Sequence, residues 1–175
     1  MADLLQEKWM KGVAVTTTVL AVVASIASSR AGYFTAKAQL LTALEGSKWA
    51  YYQAKSIKHN LLELQAKDFD IQLLGAHNPE QKSRLENELK TSQADILRND
   101  HEKDQIKQEA ETIGKQNAVV SRRGSNFSLA VVFIQIGIML SSVSALLKRK
   151  EMWALGLLSG IAGIVYLANG LLLFF

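Results

Sequence analysis

The sequence predicts an all-α membrane protein: three transmembrane helices, with a long antiparallel helical hairpin, a coiled-coil-like stalk, between spans one and two. Three observations lead there. Gly12–Ser29, Gly124–Leu147 and Met152–Phe175 contain no Asp, Glu, Lys, Arg or His, and each reaches the roughly 18 residues at which a charge-free apolar stretch becomes a candidate span. Nearly all the charge of the 175-residue chain falls between Arg30 and Arg123. That middle segment repeats apolar and small residues at alternating steps of three and four, interrupted by one strong breaker near its centre, as two helices folded back on each other require. A soluble globular domain is excluded. The chain has no cysteine, so a disulfide framework, a thiolate metal cluster and thiol catalysis are excluded with it.

The expected elements follow in order. Residues 1–11 form an N-terminal tail and 12–29 the first span. Lys8 and Lys11, the apolar run and Ser25-Ile26-Ala27 have the outline of a secretory signal and its cleavage site. Trp9 and Met10 beside those lysines instead suit an interfacial aromatic next to snorkelling cations, and the segment is expected to be a retained span. Residues 30–123 form the hairpin, with its turn at 75–79: Gly75 closes the first arm and Pro79 opens the second. At about 1.5 Å per residue, arms of roughly 40 residues each reach on the order of 60 Å and return to the same membrane face. Residues 124–147 form the second span, 148–151 a short basic loop, and 152–175 the third span, so spans two and three are antiparallel neighbours.

Heptad walks assign the seams. From Tyr33 the walk passes Ala36, Leu40, Ala43, Ser47, Ala50, Ala54, Ile57, Leu61 and Leu64 to Asp68, Ile71 and Gly75; from Leu85 it passes Leu89, Ser92, Ile96, Asn99, Lys103, Ile106, Ala110, Ile113 and Asn117 to Val120. The polar members of the second seam weaken a two-helix stalk standing alone, which points to neighbours and hence to a homo-oligomer or a larger assembly. Glu45-Gly46-Ser47 allows an alternative in which the first arm breaks there and Ser47 caps a new helix.

In the third span Gly156, Gly160, Gly163 and Gly170 fall on one helix face and include a GxxxG pair, which marks an oligomer or intramolecular packing seam. The polar residues of the spans, Gln135, Ser141, Ser142, Ser144, Ser159, Tyr166 and Asn169, include no group that is charged at neutral pH. That composition disfavours a proton-coupled pump.

Between Arg30 and Arg123 there are fifteen basic and thirteen acidic residues, a near balance that gives no nucleic-acid footprint. Asp68–Glu111 holds eleven acidic and six basic residues and reads as a solvated helical surface. The positive-inside count nearly ties, with Lys8, Lys11, Lys148, Arg149 and Lys150 on one side and Arg30, Lys37, Lys115, Arg122 and Arg123 on the other. The expectation is a cytoplasmic N-terminus and an external stalk, with a stalk facing the cytoplasm as the alternative.

No catalytic, cofactor-binding or metal-binding constellation is expected. His59 and Glu63 form an ordinary pair one turn apart, His77 sits in the turn, and Asp100-His101-Glu102-Lys103-Asp104 lacks the second histidine of a helical zinc motif. There is no phosphate-binding glycine loop and no nucleophile elbow. The most distinctive string is Trp49-Ala50-Tyr51-Tyr52-Gln53-Ala54-Lys55-Ser56. In an upright helix Tyr51 lies near the hairpin seam, and Trp49 and Tyr52 share another face, either as a stalk contact patch for an adjacent protomer or as an interfacial aromatic belt.

This string, the preceding span Val13–Ser29 and the following Ile57-Lys58-His59-Asn60-Leu61 resemble a bacterial family of small three-span membrane proteins that carry a domain of unknown function. The resemblance covers nearly the whole chain. It implies a bacterial inner-membrane location and brings no activity, substrate or site residue with it. The functional expectation is a membrane-anchored, self-associating scaffold or assembly protein that is not an enzyme. Its partners are the lipid bilayer, itself and potentially another membrane protein, with no cofactor and no nucleic acid. The alternatives are an oligomeric channel or transport component, lined by Thr16, Thr17, Thr18, Gln135 or Ser141, and an accessory subunit of a larger membrane complex.

Overall fold

The computed structural model describes residues 2–173. Met1 and the Lys8 side chain of the expected tail, and Phe174 and Phe175 of the third expected span, lie outside that description. Three helices account for nearly all of it: α1 (Ala2–Gly75), α2 (Pro79–Leu147) and α3 (Lys150–Leu172). No strand occurs among the described residues. Each helix contains a stretch long and apolar enough to cross a membrane, which is compatible with a multi-pass membrane protein.

The length of α1 and α2 follows from where the breakers are not. The single proline occupies the first position of α2, where its missing N–H costs nothing. Gly46 lies inside α1 with nothing near it, so the alternative break at Glu45-Gly46-Ser47 does not form. Between α1 and α2 only 76–78 leave the helix. Asn78 closes that turn: its Oδ1 accepts the Glu80 N–H at 3.0 Å, and its carbonyl accepts the Lys82 N–H at 3.0 Å. The side-chain contact satisfies an N–H group that a helix start leaves without a partner, and the carbonyl contact is the first bond of the helix itself.

The junction of α2 and α3 is tighter. Lys148 takes the left-handed conformation, with φ 56°, and the Arg149 N–H reaches back to the Ser144 carbonyl at 3.2 Å. This is the six-to-one closure that ends a helix, and glycine usually occupies the left-handed position. Ser144 Oγ locks it by donating to the Arg149 carbonyl at 2.8 Å.

The chain forms two compact units, one made of the sequence up to Leu40 and from Asn117 onward, the other of Leu41–Gln116. The first packs segments of all three helices. The second pairs the arms of α1 and α2 antiparallel, as Lys48 with Glu109 and Lys55 with Glu102 show.

Within the second unit α2 turns inward the face expected for it, with Leu85, Ser92, Asn99, Ile106 and Ala110 buried. The expected first-arm seam is overturned. Leu61, Ile57 and Leu64 are each about three-fifths exposed, Ile71 more so, and Ala43, Ala50 and Ala54 are exposed with them. The residues that α1 half-buries or buries include instead Glu45, Lys48, Tyr52, Lys55, His59, Leu62, Ala66, Phe69 and Leu73, with Leu41, Trp49 and Ser56 half-buried beside them. These also follow a heptad, but on the opposite side of the helix. Polar α2 residues reach polar groups on that side, and the more apolar side is left outward.

Replacing Lys148 by Gly is expected to stabilise the protein by about 1 kcal/mol, since the left-handed backbone costs a side-chain-bearing residue roughly that much. Thermal unfolding in detergent checks it; a lower melting temperature for Lys148→Gly would contradict the strained closure.

Candidate functional site

In the first unit the third-span glycines are placed inside the protomer. A Cβ on Gly137 would stand 2.8 Å from the Gly156 carbonyl oxygen, and one on Gly156 would stand 2.9 Å from that of Gly137. α2 and α3 therefore meet backbone to backbone, an approach that only glycine permits. Farther along the same contact, a Cβ on Gly163 would lie 3.0 Å from the Ala130 carbonyl, and one on Gly170 would lie 3.0 Å from the Phe127 ring. Gly160 differs, because it faces the methyl ends of Leu20 on α1. One glycine face thus packs against both other helices.

Polar groups reinforce the contact. Ser159 Oγ donates to the Phe133 carbonyl at 2.7 Å, and Trp153 Nε1 donates to Thr16 Oγ1 at 3.2 Å. Phe133 stacks on Tyr166 with ring centroids 5.4 Å apart, and Phe34 stacks on Phe127 at the same distance. Arg123 donates to the Leu171 carbonyl at 3.3 Å, one of the orphan acceptors at the end of α3. Asn169 is buried.

The five residues named as pore candidates are not gathered on one face. Thr16, Thr17 and Thr18 donate their hydroxyls to carbonyls of their own helix at 2.7–3.0 Å. Ser141 is fully buried beside Gly156, and Gln135 faces outward.

In the second unit charge and amide groups cross the seam between the arms, among the buried Ala66, Leu85, Ile106 and Ala110. Lys48 pairs with Glu109 and Lys55 with Glu102, while Arg98 adds a second cation to Glu102 at 3.0 Å. Asn99, 3% exposed, donates through Nδ2 to the Lys55 carbonyl at 2.9 Å, and Ser92 donates to the Leu62 carbonyl at 3.4 Å. His59 lies 3.3 Å from Glu63 on its own helix and 3.3 Å from Asp100 on the other. His77 and His101 are exposed. No cluster of three or more residues suited to hold a metal ion occurs among the described residues.

The hydrogen bond from Lys55 holds the Glu102 carboxyl below its ordinary value, and the same bond raises Lys55. The bond from Lys103 lowers Asp100, and Asp100 raises Lys103 in return. The carboxylates of both pairs keep contact with solvent while the lysines are largely covered, so each pair contributes modestly by itself. Their main effect is on register.

The aromatic string divides differently from its helical-wheel expectation. Tyr52 is half-buried toward α2, with Trp49 edge-on to it at 5.6 Å, and Tyr51 is the one exposed, at 51%. Lys55 lies 5.7 Å from the Tyr51 ring centroid. Tyr51 therefore borders the outward stripe of Ile57, Leu61 and Leu64.

Sequence reading missed the partners across the seam and the part played by Gly137. A signal for the pairs existed: Lys48 with Glu109 and Lys55 with Glu102 are nearly equidistant from the turn that was legible at Gly75–Pro79. Gly137 carried only the weak signal of one more glycine in a span.

Two outcomes are expected. Gly137→Val and Gly156→Val should each destabilise the solubilised protomer by roughly 1–3 kcal/mol, because a side chain there meets backbone. Gly160→Ala, which meets only the flexible end of Leu20, should cost clearly less. Denaturation in mixed micelles ranks them; equal losses would contradict the backbone contact. For pH, Glu102 and Asp100 have lowered folded values, so their contribution is full above their ordinary values of 4.5 and 3.8 and drains as pH falls through the lowered ones. Lys55 and Lys103 are raised, so their share is lost only as pH climbs past 10.5. The unfolding midpoint should be insensitive to these groups between about pH 6 and 9 and decline in acid; Glu102→Gln should flatten the acid limb, and an unchanged limb would contradict the assignment.

A family model described as a domain of unknown function (DUF4337) matches residues 9–173. No curated protein and no solved structure matches the chain.

Proposed function

The chain belongs to the DUF4337 family, and from that premise we propose that it is a membrane-anchored, self-associating helical scaffold or assembly protein without catalytic activity of its own. Its setting in this reading is a bacterial inner membrane, with the hairpin on the periplasmic side. The resemblance carried by the Trp-Ala-Tyr-Tyr-Gln-Ala-Lys-Ser string supports the bacterial setting, and the translocation of long loops with little regard to their charge supports the external hairpin.

One observation carries the scaffold reading. In the second unit α1 turns Lys48, Lys55 and His59 toward α2 beside Tyr52, Leu62, Ala66, Phe69 and Leu73, and leaves Ile57, Leu61 and Leu64 outward. Exposed ion pairs are worth about 0–1 kcal/mol each, whereas each large apolar side chain removed from water is worth about 1.5–3 kcal/mol. The hairpin thus carries a large apolar surface that its own fold does not use. A contiguous apolar stripe of this kind is the mark of an association surface.

Native mass spectrometry of the protein extracted in its own lipid, with light scattering as a check, tests the reading. It predicts one defined homo-oligomer. A monomer, or a complex of fixed ratio with a different polypeptide and one copy of this chain, would overturn it.

A further inference from the structure

We propose that the outward stripe of α1 between Ala43 and Leu64 is covered by the same stripe of a second copy, in a parallel, in-register helix pair. The proposal rests on the scaffold reading and names its partner. The stripe is not a scatter of exposed apolar residues. Ala43, Ala50, Ile57 and Leu64 recur every seventh residue, and Ser47, Ala54 and Leu61 interleave at the second position of the same heptad. That repeat matches the ridge of another helix.

The identity of the second helix follows from what lies on and beside the stripe. Copies anchored in one bilayer with one topology share a direction, so α1 meets α1 parallel, and every seam residue meets its own equivalent. Alanines then oppose alanines at one end, where the helices approach closely, and Ile57, Leu61 and Leu64 oppose themselves at the other, so the seam is self-complementary by size.

The flanks agree. No acidic residue borders the seam between Ala43 and Leu64, and a parallel pair sets Lys58 against Gln53 of the second copy and Lys67 against Gln72, with no like charges opposed. Asp68 is the next seam position and would face its own equivalent. It ends the pair on the side of the turn, and its carboxylate already accepts Gln72 Nε2 at 2.8 Å. The size is adequate as well. Leu44, Tyr51, Ile57, Leu61 and Leu64 are each half to two-thirds exposed; at on the order of 100 Å² apiece, with the alanines, they supply most of the about 800 Å² per partner of a stable interface.

Disulfide trapping in native membranes tests this, and the absence of natural cysteine makes single substitutions clean reporters. Ile57→Cys, Leu61→Cys and Leu64→Cys should each yield a disulfide-linked dimer on mild oxidation, and Ser56→Cys and Glu63→Cys, off the seam, should not. Native mass is measured on the same membranes. An oligomer whose cross-links form evenly, at the off-seam positions or nowhere would overturn the α1 pair and leave self-association standing; a monomeric mass would overturn both. Leu61→Glu supplies an independent arm. Leu61 is exposed in the protomer, so helix content should hold while the oligomer is lost, and an unchanged oligomer mass would overturn the proposal.

Discussion

Asn99 and Lys55 set the rotation of α1. The Asn99 amide, buried in the seam, donates to the Lys55 backbone carbonyl, and the Lys55 side chain pairs with Glu102 one turn away. A buried amide in an otherwise permissive heptad selects register at some cost in stability. With that register fixed, Lys48 finds Glu109, Ser92 finds the Leu62 carbonyl, and His59 comes between Glu63 and Asp100. The same rotation leaves Ile57, Leu61 and Leu64 outward. The outward stripe and the polar seam are thus two consequences of one choice, made by side chains whose pairwise attractions are small.

The first unit solves a different problem. Inside a bilayer, apolar burial gives helices no reason to associate, so close packing and interhelical hydrogen bonds must hold them. Gly137 against Gly156, with Gly163 beneath Ala130, brings α2 and α3 near enough for backbone contact, and Ser159 and Trp153 add hydrogen bonds. This glycine face is occupied within one protomer. Cohesion in the first unit accordingly falls to glycine, and the adhesion proposed for the second falls to a leucine, isoleucine and alanine heptad.

The three long apolar helical stretches, the helical middle and its turn could be read from the sequence because each rests on one local signal: uncharged length, heptad spacing, and Gly75 and Pro79 around Asn78. The phase of α1 could not. The helix carries two heptads on opposite sides, and choosing the more apolar one as the internal seam follows the usual rule that apolar residues go inward. The rule fails here because three groups near the middle of the facing α2 surface, Ser92, Asn99 and the nearby Glu102, take donors, acceptors and cations from α1, while Leu85, Ile106 and Ala110 pack on the same side. For the same reason Tyr51 and Tyr52 exchange their expected faces, since neighbouring residues sit about 100° apart on a helix and a change of seam moves one in and the other out. Lys148 was legible as part of a basic loop, but its left-handed backbone was not, because glycine is the usual signal for that conformation.

The central claim is that the apolar side of α1 is dry in the membrane-bound protein although it is bare on the single protomer. Thiol accessibility measures this directly. Cysteine at position 57, on the stripe, and at position 63, on a wet face, are compared for their rate of reaction with a water-soluble maleimide in opened native membranes and again after dilution in detergent to monomers. The account predicts that Ile57→Cys is strongly protected in the membrane and becomes as reactive as Glu63→Cys on dilution. Equal reactivity of the two positions in the undiluted membrane would contradict it.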